Sequence, residues 1–146
     1  MAKSYEQMLY LQNEQVKCMR NKHIIVSNSN HLIRITSEDL AYVSSDGSYS
    51  TMHLVDGTEH MFSFNLRAFE KLLESQLGLD SQQFIRLGKC LIINSDYIYL
   101  INVSSQEVIL SDMHWKEKIK LRASKEALKS LKNLIEVSFK NRRINI

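Results

Sequence analysis

Residues 41–64 read AYVSSDGSYSTMHLVDGTEHMFSF, with Asp-Gly pairs at 46–47 and 56–57. Asp-Gly favours a tight hairpin turn, because a type I′ turn needs a positive φ at both central residues and this pair tolerates it. The stretch therefore predicts a three-stranded antiparallel meander. Its strands are expected at Ala41–Ser45, Ser48–Val55 and Thr58–Phe64.

Two-residue loops would fix the register of this meander. Ser44 would then lie opposite Tyr49, and His53 opposite His60. Two opposed imidazoles can meet at one metal ion, but no third ligand follows from the sequence, and Glu59 lies on the other face from His60. We therefore interpret His53 and His60 as a surface pair and expect no metal and no other cofactor.

Short apolar runs on both sides of the meander extend this β-rich pattern. They predict strands at His23–Val26, Leu32–Ile35, Tyr97–Val103, Glu107–Leu110 and Lys118–Leu121, with a further apolar-rich stretch at Phe84–Asn94.

Two segments after the meander have apolar residues at helical spacing. Asn65 is the expected N-cap of a helix at Leu66–Gln76, which Gly78 stops. Ser124 is the expected N-cap of a basic helix that ends near Val137. Its predicted buried face consists of Ala127, Leu128, Leu131, Leu134 and Ile135.

The order of these elements indicates a mostly β (α+β) protein, an elongated antiparallel β-sandwich of short strands with one inserted helix and a helix at each end. Residues 1–22 are predicted to form an amphipathic N-terminal helix, residues 23–137 the domain, and residues 138–146 a basic C-terminal tail. A chain of 146 residues has room for one such domain with a short appendage.

The composition excludes several classes of protein. Apolar residues make up 44% and charged residues 24%, which is unlike a disordered chain. Cys18 and Cys90 form no CxxC motif, so we expect neither a disulfide framework nor a zinc cage. No apolar run has the length of a signal peptide or of a membrane span. We therefore expect a cytoplasmic protein.

Basic residues are concentrated late in the chain. Residues 84–146 carry 12 Lys/Arg against 6 Asp/Glu, a net charge of +6, whereas residues 1–83 carry 7 against 10, a net charge of −3. Residues 114–146 alone carry ten Lys/Arg and three Glu. This balance fits a surface that meets phosphate, and it fits a solvated basic helix equally well.

Sequence motifs for catalysis are weak. The four glycines are isolated, so the chain has neither GxGxxG nor a P-loop. Cys90 lies in an apolar stretch, where we expect a buried structural thiol rather than a nucleophile. We therefore expect that the protein is not an enzyme.

Three ordered segments resemble the LytTR family, the DNA-binding output domain of bacterial response regulators, over about residues 23–135. Residues 39–51, DLAYVSSDGSYST, are similar to the family's D-I-x-Y-I-E-A-x-G-x-Y-T pattern. Residues 84–94, FIRLGKCLIIN, resemble F-x-R-x-H-R-S-[FY]-x-V-N. Residues 121–125, LRASK, are similar to the last strand and the V-S-R start of the final helix.

The resemblance implies that loops, rather than a recognition helix, enter successive faces of the major groove. The implied contact points are the first hairpin turn, the loop after Leu87 and the start of the last helix. The candidate DNA-binding residues are Ser48, Tyr49, Ser50, Gly88, Lys89, Arg122, Ser124 and Lys125. Tyr49 could equally pack across the strands beside Ser44. Of the other matched residues, Arg86 and Asn94 are expected to have structural roles, and Phe84, Ile92 and Ile93 to lie in the core.

The chain departs from the family pattern at four positions, where Gly88, Lys89, Cys90 and Lys125 replace His, Arg, Ser and Arg. Lysine keeps the charge but loses the planar fork that grips guanine or phosphate. Gly88 has two interpretations: a turn residue that needs a positive φ, or a residue of ordinary backbone that has lost a base contact. Its strand-like neighbours favour the second.

We therefore expect a sequence-specific double-stranded DNA-binding transcriptional regulator that acts on direct repeats. The alternative is a protein-interaction module that keeps the LytTR fold with weak or no DNA binding, and the late basic residues argue against it. The residues before the domain are too few for a receiver domain. Other expected partners are a second copy of the chain, through the N-terminal helix or on DNA, and a separate sensor protein, with no membrane.

Overall fold

The structure, a computed structural model, describes the backbone of residues 23–144 and the side chains of residues 23–138. The predicted N-terminal helix lies outside the described residues. The strands are β1 His23–Ser27, β2 Leu32–Thr36, β3 Leu40–Ser45, β4 Ser50–Leu54, β5 Glu59–Phe62, β6 Phe84–Leu87, β7 Leu91–Asn94, β8 Ile98–Asn102, β9 Glu107–Leu110 and β10 Ile119–Arg122. The helices are α1 Leu66–Leu77 and α2 Lys125–Ile144, and short 3-10 helices cover Gly78–Gln83 and Ser95–Tyr97.

In this part of the chain the strands form three antiparallel sheets. The central sheet has the order β5-β4-β3-β7-β6, a second sheet has the order β10-β9-β8, and β1 pairs with β2. The prediction of a mostly β fold with one inserted helix is therefore confirmed.

The central sheet separates two hydrophobic cores, because successive side chains of a strand point to opposite faces. On one face Val43, Met52 and Ile92 pack with α1, β1 and β2. On the other face Ile93 packs with the three-stranded sheet and with Leu128 of α2. Phe84, Ile92 and Ile93 are all buried, as predicted.

Helix α1 follows the predicted pattern closely. The Asn65 side chain accepts a hydrogen bond from the backbone N–H of Ala68 at 2.9 Å, which satisfies one of the open donors at the helix start. Gly78, with φ +61°, ends the helix and donates its N–H to the carbonyl of Glu74. Its buried residues are Leu66, Phe69, Leu73 and Leu77.

The predicted register of the meander is wrong in both turns. Ser45 pairs with Ser50, which leaves Asp46–Tyr49 in the first loop. His53 pairs with Glu59 rather than with His60, and Val55, Asp56 and Gly57 form the second loop. A three-residue loop closes with one residue of positive φ, here Gly57 at +91°, so Asp-Gly serves this longer loop as well as a two-residue one.

Helix α2 is longer than predicted. It continues through Ile144, beyond the predicted end near Val137. Leu128 and Leu131 are buried, but Leu134 and Ile135 are 54% and 38% exposed, because the second core ends at Leu131. The prediction that Leu134 and Ile135 belong to the buried face is therefore wrong. No helix within residues 23–144 has the length and apolar content to cross a membrane.

Candidate nucleic-acid interface

The first segment of the candidate interface is the β3–β4 turn, Asp46–Tyr49. Ser48 and Tyr49 lie in this turn and are exposed, so Tyr49 does not pack beside Ser44 as the alternative interpretation required. Ser50 is fully buried, and its hydroxyl donates to the carbonyl of Phe64 at 2.8 Å. We therefore remove Ser50 from the candidate contacts.

The second segment is the β6–β7 turn, Gly88–Cys90, whose three residues are exposed. Gly88 has φ +70°, so the expectation of ordinary backbone at this position is wrong and the turn-residue interpretation is correct. The expectation of a buried Cys90 is wrong too, because the apolar stretch divides into two strands and places this thiol on the turn between them.

The third segment is the junction between β10 and α2. The Ser124 hydroxyl accepts a hydrogen bond from the N–H of Ala127 at 3.2 Å, which confirms it as the N-cap. Arg122, Ser124 and Lys125 are all exposed. The open N–H groups and the positive end of the helix dipole make this junction a favourable place for an anion.

The fold brings these three segments to one region of the surface. The N–H of Ser45 donates to the carbonyl of Cys90 at 2.9 Å, which ties the first turn to the second. A shallow cleft of about 270 Å³ lies between Leu87 and Gly88 on one side and Ala127 on the other, which places the second turn beside the first turn of α2. Of the eight sequence candidates, seven are exposed and Ser50 is buried.

Two other matched residues, Asn94 and Arg86, make side-chain contacts within the domain. The buried side-chain amide of Asn94 donates to the carbonyls of Ser37 and Leu40 at 3.2 and 2.9 Å, which anchors β7 to the turn before β3. The guanidinium of Arg86 lies 3.0 Å from the carboxylate of Glu70 on α1. The side chain of Asn94 is buried, whereas that of Arg86 is 37% exposed.

A polar cluster on the central sheet lies next to the first turn. The hydroxyl of Ser44 is 2.8 Å from Nε2 of His53, whose Nδ1 is 3.3 Å from the carboxylate of Glu59. The ring of Tyr42 stacks on the imidazole at 4.0 Å. Burial lowers the pKa of His53 and outweighs the attraction of Glu59. Burial, with the charge of Glu59, raises the pKa of Tyr42.

The sequence did not reveal this cluster, because the wrong register placed His60 opposite His53. A serine, a histidine and a carboxylate in this order resemble a nucleophilic triad, but the N–H of Ser45 beside the serine is already bonded to Cys90. That N–H cannot stabilise an oxyanion, and we interpret the cluster as a cross-strand brace. The described residues hold no group of three or more His, Cys, Asp or Glu side chains that could bind a metal.

Comparison with known proteins identifies the family and the fold of the chain. The family model of the LytTr DNA-binding domain matches residues 30–136 of this chain. A solved LytTr DNA-binding domain from Bacillus cereus superposes with a TM-score of 0.56 at 16% sequence identity, covering 78% of this chain and 96% of that one. No curated protein matches the chain.

The family match spans most of the described residues and includes all three exposed segments. The solved domain shares the fold of this chain. The family is one of DNA-binding domains and not of enzymes, and this chain belongs to it: it is a member of the LytTR DNA-binding domain family.

Proposed function

We propose that this protein regulates transcription by binding double-stranded DNA in a sequence-specific manner. The observation that carries the proposal is the convergence of the three exposed segments, which hold Lys89, Arg122 and Lys125, on one region of the surface. Each segment is a turn or a helix start, so side chains can project into a groove without moving the sheet.

The side chains suit different parts of a duplex. The ammonium groups of Lys89 and Lys125 can bind phosphate or the acceptors at the major-groove edge of guanine. The hydroxyls of Ser48 and Tyr49 can donate to phosphate or to base acceptors. Ser124 heads the helix whose N-terminus favours a phosphate. Gly88 adds no side chain, which leaves room for the DNA backbone.

We further propose that the segments enter successive major-groove faces and that two copies occupy a pair of direct repeats. Direct repeats require two protomers in the same orientation along the DNA, so contact between them would be head-to-tail. Residues 1–22 are the proposed means of joining two copies or of docking a sensor protein.

The test is a selection of binding sites from a random duplex library, followed by affinity measurements on the selected duplex and on a scrambled one. We expect the selected duplexes to contain repeated half-sites and to bind at least about 10³-fold more tightly than scrambled DNA. Equal binding to both duplexes would reject sequence specificity. Absence of binding to either would favour the alternative, a protein-interaction module that keeps this fold.

A further inference from the structure

Arg86 makes contacts in two directions, which distinguishes it from an ordinary surface arginine. Its Nε donates to the carbonyl of Gly88 at 3.3 Å, and one terminal nitrogen donates to the carbonyl of Lys89 at 3.5 Å. The other terminal nitrogen donates to the carboxylate of Glu70 on α1 at 3.0 Å. One planar guanidinium thus connects the second segment of the interface to a helix.

The turn that Arg86 contacts lies beyond the strand ladder. Leu87 and Leu91 are the last paired residues of β6 and β7, so the carbonyls of Gly88 and Lys89 lie outside the ladder. Glycine also permits more backbone conformations than any other residue. The direction in which Lys89 projects therefore depends on what holds these carbonyls.

The contacts of Arg86 contribute little to the stability of the fold. Its side chain and that of Glu70 are 37% and 39% exposed, and ion pairs that are this accessible to water have small net energies. Neither residue lies in a hydrophobic core. A planar fork with donors on several sides is nevertheless well suited to fix the direction of a loop.

We propose that Arg86 and Glu70 are positioning residues for DNA recognition: Glu70 orients the guanidinium, and the guanidinium holds the Gly88–Cys90 turn so that Lys89 faces the groove. The proposal rests on the proposed function. It gives Arg86 a role through the turn rather than through its own contact with DNA.

Replacement of Glu70 by alanine separates the positioning role from a charge effect, because the two explanations predict opposite changes in affinity for the selected duplex. Loss of a carboxylate near DNA should by itself tighten binding to any duplex. Loss of the brace should weaken binding to the selected duplex only. Glu74→Ala is the matched control, since Glu74 is an exposed glutamate on the same helix.

We expect Glu70→Ala to raise the Kd for the selected duplex about tenfold, the size of one lost base contact. The Kd of Glu70→Ala for a scrambled duplex should change by the same factor as that of Glu74→Ala. Arg86→Lys should resemble Glu70→Ala, because an ammonium cannot reproduce the fork. Binding of Glu70→Ala to the selected duplex as tight as that of Glu74→Ala would overturn the proposal.

A measurement without DNA keeps this test separate from the test of the proposed function. Amide hydrogen exchange at Lys89 and Cys90 should be faster in Glu70→Ala and Arg86→Lys than in the wild type and in Glu74→Ala. Unchanged exchange would overturn the brace whatever the DNA results. If the wild type does not discriminate between duplexes, the proposed function fails and the recognition role fails with it, while faster exchange would still establish the brace.

Discussion

Lys89 and Lys125 present exposed ammonium groups in two of the three segments of the interface. We predict that Lys89→Ala and Lys125→Ala each weaken binding to the selected duplex by about 1–3 kcal/mol, if the lysine reaches a base edge. Fluorescence anisotropy titrations would measure the change.

The melting temperature is the control for these two variants. Exposed substitutions usually change stability by no more than about 0.5 kcal/mol, so both variants should melt close to the wild type. Unchanged affinity in both would remove these positions from the interface. A large loss of stability would instead assign them structural roles.

Gly88, like Gly47 in the first turn, has a positive φ that few residues other than glycine adopt. A Cβ at this position would meet no atom within 4 Å, but φ +70° strains any β-carbon-bearing residue. We predict that Gly88→His lowers the free energy of unfolding by about 1 kcal/mol or more. Urea denaturation would measure the loss.

Gly88→Asn is the matched variant, because asparagine tolerates a positive φ better than histidine does. It should lose less stability than Gly88→His. If Gly88→His kept full stability and also bound DNA more tightly, the positive φ would not be needed and the glycine would be only a lost contact.

His53 gives the stability of the domain a dependence on pH. Burial lowers its pKa in the folded state below the ordinary value of 6.5, so the unfolded chain takes up a proton first as the pH falls. His53 therefore makes the domain less stable as the pH falls below about 6.5, and this loss grows until the pH reaches the lower pKa that His53 has in the folded state. We predict that His53→Gln reduces the stability lost between about pH 7 and pH 5.

One further variant checks the origin of this effect. Glu59→Gln removes the attraction that partly offsets the effect of burial on the pKa of His53, so stability should fall more steeply with acid than in the wild type. If stability depended on pH equally in His53→Gln and in the wild type, His53 would not be the origin of the effect.

Ser124 caps α2 and lies in the third segment of the candidate interface. We predict that Ser124→Ala lowers the free energy of unfolding by about 1 kcal/mol, the usual cost of losing a serine cap. Ser124→Asn should retain most of the stability, because asparagine caps equally well.

Helix α1 supplies the comparison. Asn65→Ala removes a similar cap at a helix that offers no candidate contact to DNA, so it should cost similar stability and change the affinity for DNA less than Ser124→Ala does. If Ser124→Ala weakens DNA binding more than Asn65→Ala does, the start of α2 takes part in recognition. Equal affinity in both variants would limit Ser124 to capping.

Helices and their starts were predictable from sequence because their signals are local. Asn65, Gly78 and the apolar stripe between them lie within one segment, and each determines its own part of α1. The registers of the hairpins were not predictable, since Asp-Gly fits loops of different length. Only the pairing of whole strands selects Ser45 with Ser50 and His53 with Glu59.

The errors at the site have separate causes. Ser50 was a candidate because the family pattern includes it, and the pattern does not show that its side chain is buried. Gly88 was expected in ordinary backbone because the residues around it are strand-like. Arg86 could be matched to a motif, but its bonds to the turn carbonyls depend on three-dimensional placement that spacing does not encode.

The net charge of +7 over residues 114–146 predicts strongly salt-dependent binding to DNA. If about 4–7 phosphates are neutralised per protomer, log K should fall with log salt at a slope of about −0.9 per phosphate. Titrations on one duplex between about 50 and 200 mM salt would measure the slope. A slope near zero would contradict DNA binding.

The two turns of the interface project from a sheet whose faces are both covered by hydrophobic cores. Side chains at Ser48 and Lys89 can therefore change without disturbing the packing of either core. Substitutions there would not destabilise the fold, so selection for stability would not remove them. The DNA target could therefore change during evolution while the scaffold stays the same. The same separation makes these two positions the natural starting points for retargeting the protein to a new operator.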